Sequence, residues 1–165
     1  MKRKTIIFIV AFTFIFGAFA SRSMAATYSL ANLSGTWAIT VAMSVMDDDD
    51  YDELVIDDVN LVYLPIKISS TGAVSSGGTG YVYIGESTTP TTAYGTLKAT
   101  GGTLKISTAG VVSGTIKIKA TAGGESQTIT AYVKYGMMNT GKTSISGLMI
   151  VPSDPSYGTF TATKR

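Results

Sequence analysis

The chain has 165 residues, with 13 basic and 11 acidic side chains, no histidine and no cysteine. It therefore lacks the usual ligands of zinc and copper, the thiolate nucleophile and the imidazole general base. Carboxylates, hydroxyls and amides remain. We expect a protein that is not an enzyme and has no cofactor, with calcium or another hard cation as the kind of ion that such oxygen ligands would suit.

The first 25 residues have the layout of a secretory signal peptide. A basic start (residues 2–4) precedes an apolar stretch of 15 residues (6–20), and small residues allow cleavage after Ala20 or Ala25. A membrane-spanning helix needs roughly 20 apolar residues. We therefore expect cleavage, no stable membrane span in the mature chain, and a periplasmic or extracellular location.

Removal of the leader changes the charge of the protein. It takes four of the 13 basic residues and leaves nine against 11 acidic ones. The mature chain is then slightly acidic, which argues against nucleic acid as a partner.

Residues 26–165 suit one domain, and their pattern is that of β-strands. Apolar residues alternate from Trp37 in TWAITVAMSVM, which predicts a long half-buried strand. NLVYLPIKIS predicts a second strand with Pro65 at an edge, bulge or bend, and residues 73–84 predict a third. Further strands are predicted from YGTLKAT, GGTLKIS, GVVSGTIKIKA, ESQTITAYVKY, KTSISGLMIV and YGTFTATK. No segment after the leader predicts a helix.

One hairpin is repeated. IKISSTGAVSSG (66–77) matches LKISTAGVVSG (104–114). Each copy predicts a strand, a tight turn in which Gly72 or Gly110 takes a positive φ, and a returning strand. Two copies are too few for a solenoid, so they indicate a repeated hairpin in a meander.

About eight or nine strands joined by short turns predict an all-β, antiparallel, up-and-down meander. Closing such a sheet on itself removes its exposed edges. The predicted architecture is therefore a closed β-barrel, and a two-sheet β-sandwich is the alternative.

The segment Leu33-Ser34-Gly35-Thr36-Trp37 resembles the start of lipocalin-like and avidin-like (calycin-type) barrels, and the ending GTFTATKR resembles their last strand. The resemblance implies that Trp37 closes the floor of the barrel and that Lys164 or Arg165 lies over it. Avidin-like proteins hold biotin with several tryptophans. This chain has one, so a biotin site of that type is not expected.

Eight of the 11 carboxylates lie in an acidic loop, residues 47–58, between the first two predicted strands. Asp48, Asp50 and Asp52 have the alternating spacing of a calcium loop, but Glu53 and Val59 stand where an EF-hand requires Gly and Glu. Three interpretations remain open: a solvated loop, a site for calcium or another hard cation, and a contact for a basic partner.

Aromatic residues supply the candidate ligand site. Tyrosine offers apolar area with a polar tip, and the candidates for a small apolar or aromatic ligand, inside the barrel or at its mouth, are Trp37, Tyr63, Tyr81, Tyr83 and Tyr132. The alternative is that Trp37 belongs to the core and that the tyrosines form cross-strand pairs on the outer face.

Two functions follow from these residues. The first is an exported, non-catalytic protein that binds a small ligand. The second is a structural or surface-interaction protein that self-associates, such as a subunit of an extracellular assembly.

Overall fold

The computed structural model describes residues 27–44, 59–83, 93–152 and 156–165. Within these ranges the chain forms a short helix, α1 (Leu30–Leu33), and nine strands. The strands are β1 (Gly35–Ser44), β2 (Val59–Ile68), β3 (Val74–Ser76), β4 (Gly80–Tyr83), β5 (Gly95–Ile106), β6 (Val111–Ala122), β7 (Glu125–Met138), β8 (Ser144–Val151) and β9 (Ser156–Lys164). Every pairing between them is antiparallel, which confirms the predicted meander.

The sheet closes into a barrel because β1 pairs on both of its edges. Trp37 stands opposite Ile66 of β2 on one side and opposite Lys164 of β9 on the other. The ring of eight strands runs β1-β9-β8-β7-β6-β5-β4-β2 and returns to β1, and β3 is an extra strand beside β2. The predicted closed barrel is confirmed, and the alternative of a two-sheet sandwich is wrong.

We call the end of the barrel with α1 and Trp37 the lower end. The upper end is where β1 stops at Ser44 and β2 starts at Val59, and these two residues pair with each other. The acidic loop 47–58 connects them in the sequence, and it lies outside the described residues.

Pro65 lies where β2 changes its partner. The lower part of β2 pairs with β3 and the upper part with β4. The carbonyl of Pro65 accepts a hydrogen bond from the N–H of Gly77, in the gap between β3 and β4, at 3.1 Å. The proline nitrogen, which has no hydrogen to donate, faces the same gap, so the predicted bend costs the sheet no ladder bond.

Two predictions from the sequence are wrong in detail. YGTLKAT and GGTLKIS form one continuous strand, β5, in which Gly101 follows a bulge after Ala99. The strand continues through Gly101 and Gly102 because both glycines pair with residues of β6. The second error is α1, a single turn too short to show a helical period. The backbone N–H of Ser29 donates to Oδ1 of Asn32 at 2.9 Å and holds this turn.

No described helix has the length and apolar character needed to cross a membrane.

The two copies of the repeated hairpin form the predicted turns. Gly72 has φ +83° and Gly110 has φ +87°. Their N–H groups donate to the carbonyls of Ser69 at 3.0 Å and Ser107 at 2.9 Å. The hydroxyl of each serine also accepts the N–H four residues later, at 3.1 Å in both copies. The repeat is therefore a repeated hairpin in structure as well as in sequence.

The core lies inside the barrel and is apolar. In β1, Trp37, Ile39 and Val41 are buried, while Thr40 and Ala42 between and beyond them are exposed. The other strands alternate in the same way, and no polar or charged side chain of the described residues is buried. Burial of this inward face is the main stabilising term of the fold.

Candidate functional site

Trp37 closes the lower end of the barrel. Its side chain is fully buried, and its indole N–H donates to the carbonyl of Leu33 at 2.6 Å. The ammonium nitrogen of Lys164 lies 5.5 Å from the ring centroid, a cation–π distance, and donates to the carbonyl of Asn32 at 3.1 Å. The basic residue expected over Trp37 is therefore Lys164. Protein groups occupy the polar edge and one face of the indole, and a ligand-binding role for Trp37 remains a prediction.

The lower half of the interior is filled by side chains. A cavity of about 10 Å³ remains among apolar residues that include Trp37, Ile66, Ile116, Ile145 and Phe160. One water molecule needs about 10–15 Å³ and two to four polar partners. This part of the barrel therefore has no room for an organic ligand, and its wall offers a water no hydrogen bond.

Some inward-facing apolar residues near the upper end of the barrel are only partly buried, and they are Val62, Val82, Ala120, Ile129 and Val151. The segments that join the strands around them, 45–58, 84–92 and 153–155, lie outside the described residues. A ligand at the mouth of the barrel remains a prediction.

Three of the candidate tyrosines meet on the outer wall, and we call them the tyrosine cluster: Tyr63, Tyr81 and Tyr83. Tyr63 of β2 stands opposite Tyr81 of β4. The ring centroids of Tyr81 and Tyr83 are 6.4 Å apart, with planes tilted by 45°. The Arg165 guanidinium lies 5.5 Å from the centroid of Tyr63 and donates to its hydroxyl. This geometry is that of cross-strand and same-strand pairs outside the barrel, and its flat faces could stack on a planar ring.

Tyr132 lies on a different wall, among exposed apolar side chains that the sequence did not single out. We call this group the β7 patch: Val111, Tyr132, Tyr135, Met137 and Leu148. Tyr135 is 75% exposed and Met137 is 53% exposed. Val111 stands opposite Met137 across β6 and β7, and Tyr132 stands opposite Ile150 of β8. Groups of large exposed apolar side chains such as this one are typical of interaction surfaces.

A β-bulge sets the outward direction of Tyr135. The register between β7 and β8 shifts between Lys134 and Met137, and Tyr135 has φ +53°. A left-handed residue at a bulge is usually glycine, and a residue with a Cβ loses about 1–2 kcal/mol there. Simple alternation from Tyr132 would have pointed Tyr135 inward. The one signal in the sequence is Gly136, the small residue that takes the inward place.

The remaining candidate site is the possible calcium site in the acidic loop. Asp48, Asp50 and Asp52, the candidate calcium ligands, are outside the described residues. Within those residues, no three side chains of the His, Cys, Asp and Glu types come together as a metal-binding group.

No protein-family model matches the chain, and no curated protein matches it. The closed eight-stranded antiparallel barrel is compatible with a calycin-like barrel.

Proposed function

We propose that the protein is an exported, non-catalytic surface-interaction protein that self-associates as a subunit of an assembly. Its barrel, a variant of the lipocalin-like and avidin-like type, would serve as a scaffold and its outer wall as the contact. One observation carries the proposal: the lower interior leaves only about 10 Å³, while large apolar side chains stand exposed on the outside.

The β7 patch supports this function in its composition. Tyrosine and methionine are enriched in protein interfaces, whereas charged residues are depleted from interface cores. Tyr132, Tyr135 and Met137 provide such area, and Lys134 is the one charged side chain of β7 among them. A second copy of the protein could cover this patch in two ways. It could use its own β7 patch, as in a two-fold interface, or a different surface.

The backbone conformation at Tyr135 also supports the proposed self-association. An unfavourable φ is retained at a residue whose side chain is mostly exposed, so burial in the monomer does not compensate for the strain. Strain of this kind is concentrated at functional positions. We propose that contact with a second copy compensates for it.

The first test is sedimentation velocity of the mature protein, taken from its own secreting cells, over a range of concentrations. Leader cleavage predicts an N-terminus at Ser21 or Ala26. Wild type should associate. Tyr135→Asn should weaken association at least about tenfold, as expected of an interface tyrosine, and should leave the free energy of unfolding unchanged or raise it by about 1 kcal/mol, because asparagine tolerates the left-handed region.

Tyr94→Asn is the matched control, because Tyr94 is 66% exposed but lies immediately before β5, outside the β7 patch. It should change neither quantity. A wild-type chain that stays monomeric at every concentration would contradict the proposal.

A second candidate function is binding of a small apolar or aromatic ligand at the mouth. The partly buried upper ring, Val62, Val82, Ala120, Ile129 and Val151, favours it. Native mass spectrometry of the same preparation distinguishes the two functions, since a small molecule retained on a monomer would support the ligand, and bare oligomers would support the assembly.

A further inference from the structure

The methionines of the barrel differ in how far solvent reaches them. The structure describes the exposure of three: Met137 is 53% exposed, whereas Met138 is 4% exposed and Met149 is 6% exposed. Met137 and Met138 are neighbours in β7, and they point to opposite faces of the strand. The N–H of Met138 donates to the carbonyl of Gly110 at 3.0 Å, which holds this end of β7 in place.

Met137 lies within the β7 patch. It stands opposite Val111 of β6 on one side and opposite Ser146 of β8 on the other, so its side chain comes from the middle strand of three. Tyr135, the most exposed residue of the patch, precedes it by two positions. A contact that covers Tyr135 and Val111 therefore also covers the thioether of Met137.

An exposed thioether can react with hydrogen peroxide. The sulfur lone pair attacks one peroxide oxygen, a sulfur–oxygen bond forms and the oxygen–oxygen bond breaks. The departing oxygen, with its own hydrogen and the proton given up by the transferred oxygen, leaves as water. The sulfur is thus oxidised by two electrons, the peroxide is reduced, and the product is methionine sulfoxide.

Oxidation changes what this position can contact. The methionine side chain is apolar and flexible, which suits it to an interface. The sulfoxide is polar, and its oxygen is hydrated as long as it stays on an exposed wall. Burial of such a group without a hydrogen bond is unfavourable, and the side chains of Val111 and Leu148 in the same patch have no donor. Oxidation therefore favours the free copy over the contact.

We infer that Met137 is a redox-sensitive modification site: a peroxide converts it to the sulfoxide, and the sulfoxide releases the contact between two copies. The inference rests on the proposed function and adds a means of regulating the same surface. Methionine sulfoxide reductases reverse the modification, so the release is reversible in their presence. A leucine at this position would supply the apolar contact and would not respond to peroxide.

The contact should in turn protect Met137. An association that requires the unmodified side chain is linked to the reaction that modifies it, so each opposes the other. In the mature wild-type chain, hydrogen peroxide should oxidise Met137 at least about threefold more slowly at a concentration where sedimentation velocity shows oligomers than at one where it shows monomers. Tyr135→Asn should be oxidised at the monomer rate at both concentrations. Equal wild-type rates would overturn the inference.

Peptide mass spectrometry measures which methionines react. In the dilute wild-type protein, hydrogen peroxide should convert Met137 at least about tenfold faster than Met138 or Met149, because the last two are buried. Sedimentation velocity of the same samples should show association weakened at least about tenfold. Unchanged emission of Trp37 checks that the barrel is still folded. Equal conversion of Met137 and Met138 would overturn the inference.

The variant Met137→Leu assigns the effect to one side chain. Leucine has a volume close to that of methionine and no sulfur, so this variant should associate within about twofold of wild type and should keep that association after peroxide treatment. Met149→Leu is the matched control, the same exchange at a buried position, and it should lose association after peroxide as wild type does. Loss of association by peroxide-treated Met137→Leu would assign the effect to another residue and overturn the inference.

The outcomes distinguish the inference from the proposed function. A wild-type chain that is monomeric at every concentration would overturn both. Association that survives complete oxidation of Met137 but is lost in Tyr135→Asn would overturn the inference and leave the proposed function in place. Treatment with methionine sulfoxide reductases for both epimers of the sulfoxide should restore association. A chain that stays dissociated after Met137 has been reduced again would also overturn the inference.

Discussion

The two copies of the repeated hairpin share a turn and differ in the strand that follows it. In the first copy, β3 has three residues and stops before Gly77; in the second, β6 continues for 12 residues. After the turn the first copy reads SGGTG (76–80), whereas the second reads TIKIK (115–119). Alternating β-branched residues favour a pleated strand, and glycines weaken it. The turn is thus a local property of each copy, and the residues beyond it set the length of the returning strand.

The two turns also lie against different neighbours. The carbonyl of Gly72 accepts the N–H of Leu104 at 2.9 Å, so the first turn rests on the backbone of β5. The second turn rests on a side chain: a Cβ at Gly110 would lie 2.8 Å from the ring of Tyr28. The turn at Gly72 therefore packs against backbone, which cannot move aside, whereas the turn at Gly110 packs against a side chain, which can.

The largest expected effect comes from an alanine in the turn. A Cβ at Gly72 would lie 2.2 Å from the carbonyl oxygen of Leu104, at φ +83°. We expect Gly72→Ala to lower the free energy of unfolding by about 3 kcal/mol or more, from left-handed strain together with overpacking. Gly110→Ala should lose about 1–2 kcal/mol, because the Tyr28 ring can turn aside. Urea unfolding followed by Trp37 emission measures both, and equal losses would contradict the distinction.

The next effect concerns the strands. Val74 and Val112 occupy equivalent buried positions, 5% and 1% exposed. We expect Val112→Ala to lose about 2 kcal/mol and Val74→Ala about 1 kcal/mol, because the three-residue β3 beside a gap can relax into the space that the smaller side chain leaves. Ser113→Ala, at an exposed position of β6, is the control and should lose under about 0.5 kcal/mol. A larger loss at Val74 than at Val112 would show that β3 is held as firmly as β6.

The smallest effect concerns the serines. The hydroxyl of Ser107 accepts one backbone N–H, that of Val111 at 3.1 Å. The hydroxyl of Ser69 accepts two, those of Thr71 at 3.2 Å and Ala73 at 3.1 Å. Thermal unfolding should show a loss of about 0.5 kcal/mol for Ser107→Ala and about 1 kcal/mol for Ser69→Ala, since these bonds are exposed. The reverse order would mean that the second bond of Ser69 contributes nothing.

Local pattern was sufficient to predict most of the fold. Alternation identified the inward face of β1, and Gly72 and Gly110 marked two turns correctly. Prediction from local pattern failed where pairing with a distant strand overrides the local preference of the residues. Gly101 lies within a strand because β6 pairs on both sides of the bulge, and no local pattern contains that information.

The candidate site was less predictable for the same reason. Alternation places Tyr81 and Tyr83 on one face, but their meeting with Tyr63 depends on β2 pairing with β4 above the gap after β3. Tyr135 points outward because of the β7 bulge, which a strictly alternating pattern conceals.

The seam between β1 and β9 also constrains how the molecule is made. Trp37 is paired with Lys164, so one of the first strands to leave the ribosome must wait for one of the last. Until then β1 has a single neighbour and the floor cannot be sealed. Contacts between such distant parts of a chain slow folding. If the chain is exported as we propose, this delay would be useful, since a ring that cannot close early cannot block a membrane channel.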